Sequence, residues 1–288
     1  MPINRVDPGI KGFERLVEGG FPEHSPILLS GSPGTGKTIF SLQYLYSGLL
    51  KGEPGIFITF EEPRESILTI GENFGWNFEP YVKDGTFAVI EYFELGNETY
   101  LGELDRMKKG LRELEAKKAQ SGLNPAELED LEIKMADYQN RINQIEEVVT
   151  ERKYKLTQHE REQEFLERLR DLTGKMKAKR LVIDSLSAYT IYDESRESLH
   201  RFIRRIRDLK TTTLLISEHP KNPSGFSRDE VSEFVSDGVV VFEIEHTKEM
   251  TYRKLHVEKM RHTKIDGREK FIWFTQEGME IKDRPQEP

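Results

Sequence analysis

Gly31-Ser32-Pro33-Gly34-Thr35-Gly36-Lys37-Thr38, set directly behind the apolar run Ile27-Leu28-Leu29, fills every fixed position of the phosphate-binding loop G-x-x-x-x-G-K-[ST]. Its glycines let the backbone curl until successive N–H groups converge on phosphate oxygens. Lys37 then reaches the β- and γ-phosphates, and the Thr38 hydroxyl is placed to ligate Mg²⁺. Ser32, Pro33, Gly34, Thr35, Gly36, Lys37, Thr38 and Ile39 form the expected nucleotide-binding set, with ATP and Mg²⁺ as its ligands. A helix is expected to start at once, because Phe40, Leu42, Tyr44, Leu45 and Leu49 supply an apolar face and the helix dipole adds to anion binding.

On both sides of this loop, short β-branched and aromatic runs alternate with helical patterns, which marks a parallel sheet with crossover helices. Strands are expected at Ile27–Ser30, Gly55–Phe60, Thr86–Tyr92, Arg180–Asp184, Thr212–Ser217 and Gly238–Ile244. Tyr252–Met260 and Lys270–Phe274 follow each other closely and read as an antiparallel C-terminal hairpin. The fold class is α/β.

Charged residues are 33% of the 288 and apolar ones 36%, more charge than an average globular domain carries, so part of the chain is expected in solvent-exposed helices. A net charge of −8 argues against a general polyanion-binding surface, and nucleic acid is not the favoured partner. The absence of cysteine removes disulfides, thiolate catalysis and zinc ribbons from consideration. The N-terminus lacks an apolar signal region, and no stretch approaches the ~20 apolar residues of a membrane span. The expected location is cytoplasmic, with no membrane partner.

Residues 101–176 break the strand–helix rhythm. Leu128, Leu131, Met135, Tyr138, Ile142, Ile145 and Val149 recur at alternating spacings of three and four between polar residues, a coiled-coil seam. Leu101, Leu104, Met107, Leu111 and Leu114 form a matching stripe upstream. Ser121-Gly122-Leu123-Asn124-Pro125 can reverse the chain, and Asn124, Pro125 and Glu127 suit the N-cap, N1 and N3 positions of the second helix. A third helix is expected from the capping box Thr157-Gln158-His159-Glu160, with Phe165, Leu169, Leu172 and Met176 facing one way. The division is a nucleotide-binding core of residues 1–100 and 155–288, interrupted by an antiparallel helical arm of residues 101–154. An arm about 40 Å long projects beyond a compact domain and is expected to reach a protein partner.

Leu181-Val182-Ile183-Asp184 is an apolar strand ending in a carboxylate, which puts Asp184 beside the metal as the Walker B acid. Ile56–Phe60 also ends in carboxylates, Glu61 and Glu62, and one of these is the candidate to orient the attacking water, with a purely structural role as the alternative.

The chain closely resembles the KaiC-like branch of the RecA superfamily of ATPases. The resemblance is carried by Pro8-Gly9-Ile10-Lys11-Gly12-Phe13, Glu18-Gly19-Gly20-Phe21-Pro22, the phosphate loop, Phe60-Glu61-Glu62-Pro63, Phe74-Gly75-Trp76, Ile183-Asp184-Ser185 and Lys259-Met260-Arg261. It covers essentially all of the chain outside the helical insert. It implies a RecA-like core, a catalytic base at Glu61 or Glu62, a γ-phosphate sensor at Glu218, and assembly into a homo-oligomeric ring, a hexamer. Lys259 and Arg261 would then be fingers reaching a nucleotide held by the neighbouring subunit; without the family match they read as an exposed β-edge charge pair. Clock members of the family carry two such domains and autophosphorylate adjacent Ser and Thr. Here Val231-Ser232-Glu233-Phe234-Val235-Ser236-Asp237 lacks that adjacent pair, so autokinase activity is not carried over.

His200–Arg207 with Lys210 is the most basic segment, and Lys221 and Arg228 lie in a stretch where recombinases of the superfamily contact DNA. Asp229, Glu230 and Glu233 oppose those cations, so a solvated or inter-subunit face is the default. The histidines show no metal-ligand spacing, and Trp76 and Trp273 are expected in the core. The leading reading is a Mg²⁺-dependent ATPase. A nucleotide-gated scaffold with negligible hydrolysis and a DNA-acting recombinase-like ATPase are the alternatives.

Overall fold

The computed structural model describes residues 3–92, 98–119, 124–155, 158–186, 196–218, 225–227, 229, 231–247 and 250–283. Ser121 to Leu123, Thr157, Lys221 and Arg228, on which the chain reversal, a capping box and the DNA-contact expectation rest, lie outside the described residues. The chain forms two compact units, Met1–Tyr92 with Leu169–Pro288, and Phe93–Arg168.

The first unit is built on a nine-stranded sheet. Its six parallel strands are β3 (Pro26–Gly31), β4 (Gly55–Thr59), β5 (Phe87–Glu91), β6 (Arg180–Asp184), β7 (Thr212–Glu218) and β8 (Gly238–His246), in the order β8-β3-β7-β6-β4-β5. Next to β8, three antiparallel strands extend the sheet: β9 (Thr251–Met260), β10 (Lys270–Thr275) and β11 (Gly278–Lys282). β9 and β10 form the expected hairpin. The two-residue pair β1 (Arg5–Val6) and β2 (Phe21–Pro22) and the last strand β11 carry too little periodic signal to be read in the sequence.

The central strands are buried on both faces, which is why β3, β4 and β7 read as near-continuous apolar runs. Register fixes the working edge: Gly31 pairs with Glu218 and Thr59 with Asp184, so the C-terminal ends of β3, β7, β4 and β6 share one side of the sheet.

Helix α1 (Lys37–Leu50) leaves the phosphate loop and buries Phe40, Leu42, Tyr44, Leu45 and Leu49. Phe40 packs edge-on against Phe13 and Phe242, with ring centres 5.1 and 5.5 Å apart, which ties the helix to β8 and the N-terminal segment. Arg180 is 1% exposed at the start of β6; it pairs with Glu53 and donates to the carbonyls of Tyr44 and Asp7. A guanidinium so buried needs every one of those partners. Further helices of this unit include α2 (Arg64–Glu72), α3 (Glu79–Lys83) and, further along, α7 (Arg196–Asp208). α7 buries Leu199, Phe202, Ile203 and Ile206 and leaves His200, Arg201 and Arg204 exposed. Trp76 is buried, but Trp273 is 41% exposed, with the Lys282 ammonium over its ring, because it sits on the outer face of β10; the expectation of a core position for it fails.

The second unit contains α4 (Glu98–Lys118), α5 (Pro125–Lys155) and the first part of α6 (Gln158–Met176). α4 and α5 run antiparallel: Glu103, early on α4, pairs with Arg141, and Lys118, at its end, pairs with Glu132, earlier on α5. From Leu128 to Val149 only the seven seam positions of α5 are shielded; every residue between them is exposed. Asn124 and Glu127 cap α5 reciprocally, each side chain accepting the other's backbone N–H at 2.9 Å. Among the described residues no helix is long and apolar enough to cross a membrane.

Candidate functional site

The C-terminal edge of the parallel strands opens into a cavity of about 560 Å³ lined by residues from the phosphate loop, β4, α2, β6, β7, β9 and β10. Gly34 (φ +77°) and Gly36 (φ +103°) take backbone conformations that side-chain-bearing residues rarely adopt, and they turn the loop around its centre. The Thr35 hydroxyl donates to the Ser32 carbonyl at 2.8 Å and closes that turn. Lys37 folds inward, donating to the carbonyls of Gly31 at 2.7 Å and Ser32 at 3.0 Å. Burial lowers its pKa, against the pull of the Asp184 and Glu218 carboxylates.

Thr38, at the start of α1, donates through Oγ1 to Asp184 Oδ2 at 2.9 Å. Burial pushes the Asp184 carboxyl up to about 6; the Thr38 hydrogen bond and Lys37 oppose the rise, and Glu62 and Glu61 add to it. A hydroxyl and a carboxylate side by side at the loop are hard oxygen donors of the kind Mg²⁺ takes. Among the described residues no group of three or more His, Cys, Asp or Glu side chains could hold a metal by itself; waters and phosphate oxygens would supply the rest of a shell around these two donors.

Glu61 and Glu62 both line the cavity but differ in their tethers. Glu62 is fixed: Ser66 of α2 donates to its carboxylate at 2.7 Å, and the Thr59 hydroxyl bonds its backbone on both sides. Among the described residues the Glu61 carboxylate is held by one 3.4 Å hydrogen bond, from Ser185, the residue after Asp184. Glu218 closes the floor at the end of β7.

Lys259 and Arg261 are not brought to this cavity. Met260 pairs with Gly238, which pairs with Ile27, so both cations sit at the opposite edge of the sheet, where β3 begins. There Lys259 donates to the carbonyls of Glu233 and Ser236 at 2.8 Å, while Arg261 lies 3.6 Å from Asp237. The short helix α8 (Ser232–Val235) that Lys259 clamps presents Phe234, 72% exposed. Sequence reasoning missed the apolar wall of Ile70, Phe74 and Phe274, and also Arg253, because nothing local to those residues marks them as neighbours of the loop.

A family model described as "ATPase: KaiC" matches the chain over residues 6–122 and 112–286. A UPF0273 protein from Methanopyrus kandleri is 29% identical over 283 residues, 98% of this chain and 93% of its own length. One from Thermotoga maritima is 30% identical, covering 97% and 96%. The circadian clock oscillator protein KaiC of Prochlorococcus marinus is 30% identical over 91% of this chain, which spans 42% of that protein. Among solved structures, a KaiC-like protein from Pyrococcus horikoshii superposes with a TM-score of 0.69 at 26% identity, covering 97% of this chain and 99% of that one. With its phosphate loop at the head of a RecA-like sheet, the chain belongs to the KaiC family of ATP-binding ATPases.

Proposed function

We propose that this chain is a Mg²⁺-dependent ATPase that works as a homo-oligomeric ring and passes its nucleotide state to a protein partner through the helical arm. The observation that carries the reading is the convergence of Lys37, Thr38, Asp184 and Glu61 on one cavity at the edge where the parallel strands end. Lys37 leaves the carbonyls of Gly31 and Ser32 for the β- and γ-phosphates, and the loop amides hold the remaining charge. Bound Mg²⁺ would sit at Thr38 and Asp184 and neutralise charge on the outer phosphates.

Glu61 orients the attacking water, because its carboxylate is the less tethered of the pair and faces the cavity beside Asp184. Glu62, tied to Ser66 and Thr59, holds the turn that aims Glu61. Glu218 is the lesser candidate, placed to report the γ-phosphate. A cytoplasmic location goes with this reading.

Phosphate release by the purified chain, measured with and without Mg²⁺ and with and without DNA, tests it. Mg²⁺-dependent release that ignores DNA is expected, and Lys37→Ala is expected to abolish tight ATP binding. Tight binding without phosphate release would favour the scaffold alternative, and stimulation by DNA the recombinase-like one.

A further inference from the structure

Register brings the end of β5 beside the turn that carries Glu61. Thr59, the last residue of β4, pairs with Glu91, the last of β5, so the residues that follow, Phe60 and Tyr92, emerge side by side from adjacent strands. Their rings stack, with centres 4.3 Å apart and planes 17° from parallel. That separation is close to the ~4.8 Å between neighbouring strands, so the stack fits the strand ends as they stand. On its other side Phe60 is tied to β6, its backbone N–H donating to the Asp184 carbonyl at 2.8 Å.

The far end of the turn is held from β5 as well. Arg64 opens α2, where backbone N–H groups lack partners within the helix, and the preceding Pro63 offers no side-chain acceptor. The Glu91 carboxylate supplies one, accepting the Arg64 N–H at 3.1 Å. Its negative charge also suits the positive end of the helix. Glu61, Glu62 and Pro63 thus span two anchors, Phe60 on Tyr92 and Arg64 on Glu91. Neither Glu91 nor Tyr92 is among the described residues that line the cavity, so their effect on the site passes through the turn.

We propose that Tyr92 and Glu91 are positioning residues for hydrolysis: together they fix the turn so that the Glu61 carboxylate stays aimed at the attacking water. The second unit begins at Phe93, the next residue, so Glu61 is aimed from the point where the chain leaves the core for the arm. The proposal rests on the ATPase reading above and on the assignment of the water to Glu61.

The test compares ATP affinity, kcat and the thermal transition of the full-length parent with those of Tyr92→Ala, Tyr92→Phe, Glu91→Ala and Glu91→Gln, all with Mg²⁺. Phe keeps the ring that Ala removes at position 92; Gln keeps a carbonyl acceptor for Arg64 that Ala removes at position 91. Tyr92→Ala and Glu91→Ala are each expected to lower kcat by about ten- to a hundredfold, with ATP affinity within about twofold of the parent because the phosphate loop is untouched. Tyr92→Phe and Glu91→Gln should return most of the lost rate. In a Glu61→Gln background Tyr92→Ala should cost almost nothing further, since no carboxylate is left to aim. Parental kcat in either alanine variant, Tyr92→Phe as slow as Tyr92→Ala, a fall in ATP affinity that matches the fall in rate, or an equal loss in the Glu61→Gln background overturns the proposal. Should Tyr92→Ala fail to fold, Glu91→Ala, which leaves the stack in place, decides by the same readings. A parent that releases no phosphate, or Glu61→Gln at the parental rate, overturns the reading beneath it, and this inference with it.

Discussion

Burial lifts the Asp184 carboxyl to about 6, and this gives the site a pH dependence whose sign is fixed. Between the ordinary carboxylate value and about 6 the unfolded chain ionises while the folded one keeps its proton. Stability is therefore lost as pH rises through that window, by a ceiling of about 3 kcal/mol. Mg²⁺ held at Asp184 with the nucleotide, as proposed, would reverse the penalty, because a cation favours the ionised carboxylate. The rise in Tm on adding ATP and Mg²⁺ should thus be larger at pH 7.5 than at pH 5, and Asp184→Asn should remove the difference. A difference that persists in Asp184→Asn would take Asp184 out of the metal shell. For the paired glutamates, Glu61→Gln should keep ATP binding and slow hydrolysis by about 10²- to 10⁴-fold. Glu62→Gln should cost less, since it disturbs only the turn; equal losses would contradict the assignment of the water to Glu61. Lys37, Thr38 and Asp184 could be named from the sequence because motif and strand end are local signals. Arg253, Phe274 and Phe74 could not, since strand pairing across the whole chain brings them to the loop.

Within the arm, the close approach of Gly110 on α4 to Tyr138 on α5 sets the fit of the two helices. A Cβ at Gly110 would lie 2.2 Å from the Tyr138 ring. Alanine at position 110 gains about 1 kcal/mol of helix propensity but overpacks the seam at a cost of about 1–3 kcal/mol. Gly110→Ala should therefore lower the arm's thermal transition, followed by circular dichroism, in the parent. In a Tyr138→Ala background it should raise the transition instead. The same sign in both backgrounds would mean that Tyr138 does not rest on Gly110. The heptad-like spacing made this seam legible, as the shielding confined to its seven positions on α5 shows. The exposed Trp273 was misread because hydrophobic character alone does not say which face of β10 points outward. Since the two helices bury their seam against each other, replacing residues 103–154 by a short flexible linker should leave the core folded and ATP binding intact. Loss of ATP binding together with a collapsed core transition would make the insert part of the core's structure.

At the scale of the whole molecule the question is whether one chain makes a complete site. Along β3, Lys259 is level with Leu28 and Arg261 with Pro26, about 10 and 17 Å before Gly31, and both side chains are engaged at the far edge of the sheet instead of at the loop. Both reach toward the same short helix, α8, with Lys259 held on its carbonyls. If they act on a nucleotide, it is one bound by a neighbouring subunit in a ring. A mixture is then more active than its parts. Subunits carrying Lys37→Ala cannot bind ATP but still offer both fingers; subunits carrying Lys259→Ala with Arg261→Ala bind ATP and lack them. Each alone should be inactive, and the mixture should regain ATPase activity once subunits exchange. Lys259 also supports α8, so Arg261→Ala alone, which leaves that clamp in place, is the second partner to mix, and its thermal transition should match the parent. Exchange is followed independently by energy transfer between labelled subunits. No recovery of activity with either partner despite demonstrated exchange would mean that the site is completed within one chain and that Lys259 and Arg261 serve only to hold α8 at the surface.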